Sequence, residues 1–302
     1  MKLYAPKYYN DFKCIADKCT HSCCIGWEID IDEHTYDKYS SLDSGYGRII
    51  KDSVDTEGVP HFRLRKNDLC PHLNEKGLCN IILEMGEDML CEICREHPRF
   101  YNDVGGHKEV GIGMSCEEAA RIILQSDCYD DIIEIGDIDF TAENCSFDAR
   151  FHRNKVYSIL HNYSLPYRDR LSKIGEQYGV SLSVLSGEEW AETIDSLEYL
   201  DEKNKELFNN FSPNADTPQG MEKYLERAFA YFVFRHCSPS QNEDDFAAGL
   251  GLSLFCERLF TSLISAQKSQ DFETVVFLAR TVSEEIEYSI ENTDCIKCIF
   301  LF

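Results

Sequence analysis

The chain has 302 residues, 43% of them hydrophobic, and a formal net charge of −24. That length buries an adequate core without disulfide staples and holds one large domain or two modest ones. The acidity excludes nucleic acid and anionic membrane surfaces as partners, because both demand a positive face; it suits a cationic partner such as a lysine side chain or a basic peptide, or serves solubility alone. The opening MKLYAPKYYNDF has no apolar core and no small-residue cleavage site, so no signal peptide is expected. No apolar run is expected to approach the roughly 20 residues that span a bilayer. The reading is a cytoplasmic protein with reduced thiols.

Cysteine carries the next signal. The chain has 15, and their crowding towards the N-terminus is the informative feature. Cys14, Cys19, Cys23 and Cys24 form a Cys-x4-Cys-x3-Cys-Cys group. Neighbouring residues direct their side chains apart, so Cys23 and Cys24 need not share one metal. Residues 25–31 alternate in part and give a weak strand signal. Cys70 and Cys79 flank a tight turn expected around Asn74–Gly77. Cys91-x2-Cys94 has the commonest ligand spacing. Ser115-x-x-Glu118 reads as a capping box, which places Cys116 in the first turn of a helix running through Ala119–Leu124. Free backbone N–H groups there favour thiolate. An odd total fits a closed disulfide framework poorly, so metal or iron–sulfur binding is favoured. Cys128, Cys145, Cys237 and Cys256 are isolated and read as inert. Cys295-x2-Cys298 has ligand spacing but adjoins an apolar end.

Beyond residue 130 the pattern turns helical. Ser186–Glu189 reads as a capping box ahead of a face made by Trp190, Ile194, Leu197 and Leu200. Thr217-Pro218 reads as a helix start before the stripe Met221, Tyr224, Leu225, Ala228, Phe229 and Phe232. Residues 246–264 and 272–290 read as two further helices, and 201–220 and 237–245 as linkers. The expected fold is mainly α: a Cys-rich, cluster-binding region over 1–130 packed on a helical region over 131–302. Neither a Gly-x-Gly-x-x-Gly after a strand nor a Gly-x4-Gly-Lys-Ser/Thr occurs, and the glycines of 105–113 do not match a nucleotide loop. No Cys-x3-Cys-x2-Cys occurs either.

Four segments together resemble the flagellin lysine-N-methylase family, within the wider group of zinc- or iron-chelating CxxCxxCC proteins. They are Phe12-x-Cys14-x4-Cys19-x3-Cys23-Cys24-x2-Trp27; Cys70-Pro-His-Leu-x4-Gly77-Leu-Cys79; Gly86-Glu87 leading to Cys94-x3-Pro98-Arg99; and Ser115-Cys116-x2-Ala119-Ala120-Arg121. Tyr231-Phe-Val-Phe-Arg235-His236 is similar to a helical motif of the same family. His97 stands where an aromatic usually precedes Pro-Arg. The resemblance implies methyl transfer from S-adenosylmethionine to protein lysines, with flagellin as the type of substrate. It also implies a [4Fe–4S] cluster held among Cys14, Cys19, Cys23, Cys24, Cys70, Cys79, Cys94 and Cys116, and it leaves Cys91 outside the set. Zinc is the alternative occupant, because an all-thiolate donor set takes either.

Such chemistry needs a neutral amine, whereas lysine has a pKa of about 10.4. The base candidates near the cysteine segments are Tyr8, Glu109 and Glu117, with Tyr9, His21, His72 and His97 beside them. Arg99 and Arg121 are candidates to offset cluster charge or hold the cofactor carboxylate, and Trp27 to stack on its adenine. The rival reading from a different class is a zinc- or iron-binding interaction module without catalysis.

Overall fold

The structure, a computed structural model, describes residues 1–139 and 146–301. Cys145 therefore lies outside the described residues. The chain folds as two compact units, Lys13–Arg99 and the combination of Met1–Phe12 with Phe100–Phe302. The boundary expected near 130 falls inside the larger unit. Strand β1 (Lys2–Pro6) draws the chain start into that unit's sheet.

The smaller unit is built from α1 (Glu33–Ser40), α2 (Gly45–Ser53), the short strands β2 (Val54–Asp55) and β3 (His61–Phe62), α3 (Asn80–Met85) and α4 (Glu92–Glu96). Asp32 caps α1 by accepting from the Thr35 N–H at 2.9 Å. Ile29, Ile31, Tyr39, Ile50, Phe62, Leu73, Ile81 and Met89 make its core, with Cys70 and Cys91 buried among them. The alternation of residues 25–31 yields only two isolated bridges, Ile25 to Leu69 and Asp30 to His61, and no regular strand. Two thiols thus take core positions that apolar side chains would otherwise fill.

The larger unit continues with β4 (Arg99–Val104), β5 (His107–Ile112), α5 (Glu117–Gln125) and β6 (Ile132–Asp137). Its sheet runs β4-β5-β1-β6, with β1 parallel to β5 and antiparallel to β6. The glycines of 105–113 thus belong to a β4–β5 connection and its second strand, which is why they fit no nucleotide loop. Helices α6 (Ala149–Leu160), α7 (Tyr167–Tyr178), α8 (Gly187–Ser196), α9 (Glu202–Phe208), α10 (Glu222–Cys237), α11 (Glu243–Ala266), α12 (Phe272–Val282) and α13 (Ile290–Cys298) complete it. The chain is mainly α, about 53% helical with a small sheet.

The core follows the apolar faces. The Ser186 capping box forms in both directions, and it sets Trp190 to stack on Phe255 of α11 with ring centroids 5.2 Å apart. Leu197 is buried just past the helix end, but Leu200 is exposed. Leu225, Ala228, Phe229 and Phe232 of α10 are all buried. Helix α11 is long and apolar enough to cross a membrane by length and composition, contrary to the sequence expectation. Here it is the central core helix, with 94% of its apolar window buried.

Several starts and stops differ from expectation. Helix α10 begins at Glu222, not after Thr217, because Met221 N–H closes a turn onto Pro218 and Gly220 adopts a φ of 79°. The expected linker 201–220 contains α9. The expected helix 272–290 passes at Ser283–Glu287 into a π-helical turn. A methyl added at Gly249 of α11 would overlap the His236 carbonyl oxygen of α10. Gly249→Ala should therefore lower stability by about 1–3 kcal/mol, outweighing the roughly 1 kcal/mol helix-propensity gain. Chemical denaturation reads this directly.

Candidate functional site

Three segments bring thiols to the small core. The first is the loop ending at Cys24. Its carbonyl accepts from Cys70 N–H at 2.9 Å, and Gly26 N–H bonds to the Asp68 carbonyl, so Cys24 and Cys70 lie on adjacent backbones. The second is the turn from Cys70 to Cys79. Asn74 builds it, because its side-chain oxygen accepts from the N–H groups of Lys76 and Leu78, and Gly77 takes the left-handed conformation that closes it. Leu73 bridges to Cys79, so the two thiols flank the turn as expected. Arg65 pins the same loop by donating to the carbonyls of Cys70 and Leu73. The third segment is the start of α4, where Cys91 precedes the helix and Cys94 lies within it. Asp32 fastens this helix by accepting from Glu92 N–H at 2.8 Å, and the Tyr39 hydroxyl donates to the Met89 carbonyl.

The thiols sense one another. The Cys23 thiol's hydrogen bond lowers the Cys24 pKa to about 7, against the opposing effect of burial. Burial pushes Cys70 up to about 12, with the charges of Cys24 and Cys79 adding to it. Burial likewise raises Cys79, which faces the charges of Cys24 and Cys91. Cys91 and Cys94 share a thiol–thiol hydrogen bond, which lowers Cys91 and raises Cys94. Five thiols are thus linked in a chain by one another's charge, and Cys70, Cys79 and Cys94 hold their protons more tightly than an ordinary thiol. Among the described residues, no three His, Cys, Asp or Glu side chains are gathered closely enough to hold a metal ion as they stand. The donor chemistry nonetheless suits a soft metal or an iron–sulfur cluster, whose binding would displace those protons.

Of the eight cysteines implied by the resemblance, the smaller unit groups Cys24, Cys70, Cys79 and Cys94 and adds Cys91, which the pattern omitted. Cys14 and Cys23 are exposed and Cys19 is half-buried. Cys116 belongs to the larger unit and stands at the N-cap of α5. The expected Ser115 capping box is not made there, and the buried Ser115 hydroxyl has no partner. His72 is buried with both ring nitrogens engaged, Nδ1 with Tyr46 and Nε2 with Ser53, each at 2.9 Å.

The candidate catalytic and cofactor-binding residues have clear placements. Tyr8 is buried, its hydroxyl has no partner, and burial drives its pKa well upward. Glu109 is fully buried and clamped by Arg153 of α6 at 2.5 and 2.8 Å. Burial alone would raise its pKa, but Arg153 holds it at about 2, with His107 assisting. A carboxylate held that low is a poor proton acceptor. Glu117 is buried and pairs with Arg121 at 3.0 Å. Arg121 also meets Glu118 and Glu273, so three carboxylates already occupy its guanidinium. Trp27 is half-buried; its indole N–H donates to the Cys23 carbonyl at 2.7 Å and its ring meets His97 edge-on. It braces the cysteine loop. Arg99 is half-buried at the start of β4.

Sequence reasoning missed several buried charge networks in the larger unit, one of them the Arg170–Glu226 pair, and two bear on the candidate residues. One is the Arg153–Glu109 pair, to which the Ser238 hydroxyl adds a bond with Arg153. The other centres on Glu287 of the π-helical turn. It accepts from the Tyr231 hydroxyl at 2.8 Å, bonds His236 at 2.7 Å, and pairs with Arg235 at 3.3 Å. The Tyr231 hydroxyl in turn accepts from Met114 N–H at 3.1 Å, two residues before Cys116. The Tyr231–His236 motif flagged half of this network. Glu287 sits in the acidic run Ser283-Glu-Glu-Ile-Glu287, which leaves no local signal for the rest.

Fold and site together define a mainly helical protein with a cysteine-rich unit that gathers thiols at its core. Comparison with known proteins adds a distant relationship. The chain is 26% identical over 168 residues to the flagellar biosynthetic protein FliU of Salmonella muenchen, which covers 51% of this chain and 94% of that protein. It is 26% identical over 133 residues to the lysine-N-methylases of Salmonella choleraesuis and Salmonella typhimurium. Each of those alignments covers 39% of this chain and 31% of the relative, so the chain spans about a third of the length of these two enzymes. No family model and no solved structure matches the chain. The relationship is lysine-N-methylase-like and distant.

Proposed function

We propose that this chain is an S-adenosylmethionine-dependent protein-lysine N-methyltransferase that acts in the cytoplasm on a flagellin-type substrate, with an iron–sulfur cluster held by its thiols. The observation that carries this reading is the relationship to the two lysine-N-methylases. The likeness to a flagellar biosynthetic protein supports the substrate class. The net charge of −24 suits a basic segment presenting a lysine.

In the reaction the lysine nitrogen attacks the sulfonium-bound methyl carbon, the carbon–sulfur bond breaks, and the amine's proton leaves to solvent or a base. The protein's task is to strip the ammonium proton and align nitrogen, carbon and sulfur. Cys24, Cys70, Cys79 and Cys94 would hold the cluster, which would bind structurally or take up the methionine end of the cofactor. Trp27 would keep the Cys23–Cys24 loop in place.

A second reading, a zinc- or iron-binding module without catalysis, draws on one observation. Glu109 and Glu117 are held in ion pairs with Arg153 and Arg121, and Tyr8 is buried, so none of these three presents a free base. Calorimetric titration of the metal-loaded chain with S-adenosylmethionine separates the two. Saturable binding is expected; a flat titration would leave the binding module.

A further inference from the structure

We propose that the exposed apolar face of α3, in the smaller unit, is a docking surface for a basic, amphipathic helical segment of a partner protein. Such binding requires neither methyl transfer nor a metal.

Helix α3 is six residues long, too short to persist in water by itself. Its ends and one side chain fix it. Ile81 is buried in the small core, Leu83 N–H donates to the Cys79 carbonyl, and Gly86, at a φ of 91°, closes the last turn onto the Ile82 carbonyl. The remaining apolar side chains of the helix face solvent: Ile82 is 38% exposed, Leu83 57% and Met85 36%. Ile49 of α2, the helix that packs on α3, is 55% exposed. Single apolar residues on a surface are ordinary, but three in one turn mark an interaction site. Two packed helices that both present apolar side chains suit a third helix laid against them. The fixed backbone lowers the ordering cost of that contact.

The neighbouring charge selects the partner. Glu84 lies in the same turn, and Glu87 and Asp88 in the turn that follows. The basic side chains of α1 and α2 are already engaged, Lys38 with the Asp88 carbonyl, Arg48 with Asp52 and Lys51 with Asp43. The apolar face is therefore rimmed by negative charge. Such a rim repels anionic lipid, and it repels a second copy of this chain, whose net charge is −24. It attracts lysine and arginine. A helix with an apolar stripe flanked by basic residues answers both features, the stripe for Ile82, Leu83 and Met85 and the cations for the carboxylates.

The test is fluorescence anisotropy with the full chain and a labelled helix-forming peptide that carries leucines along one face and lysines along the other. Saturable binding that weakens with added salt is expected. Leu83→Ser with Met85→Ser should weaken it about ten-fold, and Glu84→Lys with Glu87→Lys by a similar factor. All four side chains are exposed, so both variants should keep their fold, which circular dichroism checks. Hydrogen exchange of the wild-type chain gives a readout without any substitution: the amides of residues 80–90 should slow when the peptide is added. Absence of saturable binding, unchanged affinity in either variant, or equal binding of a peptide with glutamates in place of the lysines would overturn the proposal. Self-association of the chain, or pelleting with zwitterionic vesicles, would also overturn it if abolished by Leu83→Ser. The occupant would then be a second copy or a lipid surface.

Discussion

Arg153→Met should destabilise the larger unit by about 3–5 kcal/mol, because it leaves the Glu109 carboxylate buried and unpaired. Both side chains are fully buried, and the pair joins β5 to α6 across 44 residues of sequence. Replacing both partners with apolar residues of similar volume removes the charge along with its partner. Glu109→Met with Arg153→Met should therefore cost clearly less than the two single losses combined. Urea denaturation of the four proteins measures the coupling. The pair also gives stability a pH dependence. The Glu109 pKa lies at about 2 against an ordinary 4.5, so its contribution is complete above pH about 4.5 and disappears as pH falls towards 2. Glu109→Gln should flatten that part of the acid-denaturation profile; an unchanged profile would place the acid sensitivity elsewhere.

Glu287→Ala should cost a similar amount, about 3–5 kcal/mol, since it strands Arg235 and His236. Its second effect is more specific. Glu287 holds the Tyr231 hydroxyl, which accepts the Met114 N–H ahead of the Cys116 helix cap. Glu287→Gln keeps the shape but not the charge. It should fold, lose less stability than the alanine variant, and raise the alkylation rate of Cys116 several-fold. Unaltered Cys116 reactivity in a folded Glu287→Gln protein would show that the network does not control that turn.

Local chemistry was legible in the sequence wherever a short motif sufficed. The Ser186 box and the Asn74–Gly77 turn each depend on neighbours within a few residues, whereas the full apolar length of α11 was under-read. The start of α10 was misplaced because Pro218 resembles a first-turn proline, whereas Gly220 breaks the run before Glu222. The π-helical turn within 272–290 preserves the apolar periodicity closely enough to read as one helix. Glu109 passed for a base because its partner, Arg153, lies on another element and leaves no local trace. Cys91-x2-Cys94 has ligand spacing, but Cys91 stands outside the set that the family resemblance implies. Its place in the core depends on Asp32, 60 residues away, fixing the start of α4.

The most direct test is mass spectrometry of flagellin incubated with the metal-loaded chain and S-adenosylmethionine carrying a deuterated methyl group. Labelled methyl on lysine side chains, absent when the chain or the cofactor is omitted, is the expected result. Flagellin lysines that stay unlabelled while the chain demonstrably holds its metal and binds the cofactor would contradict the account.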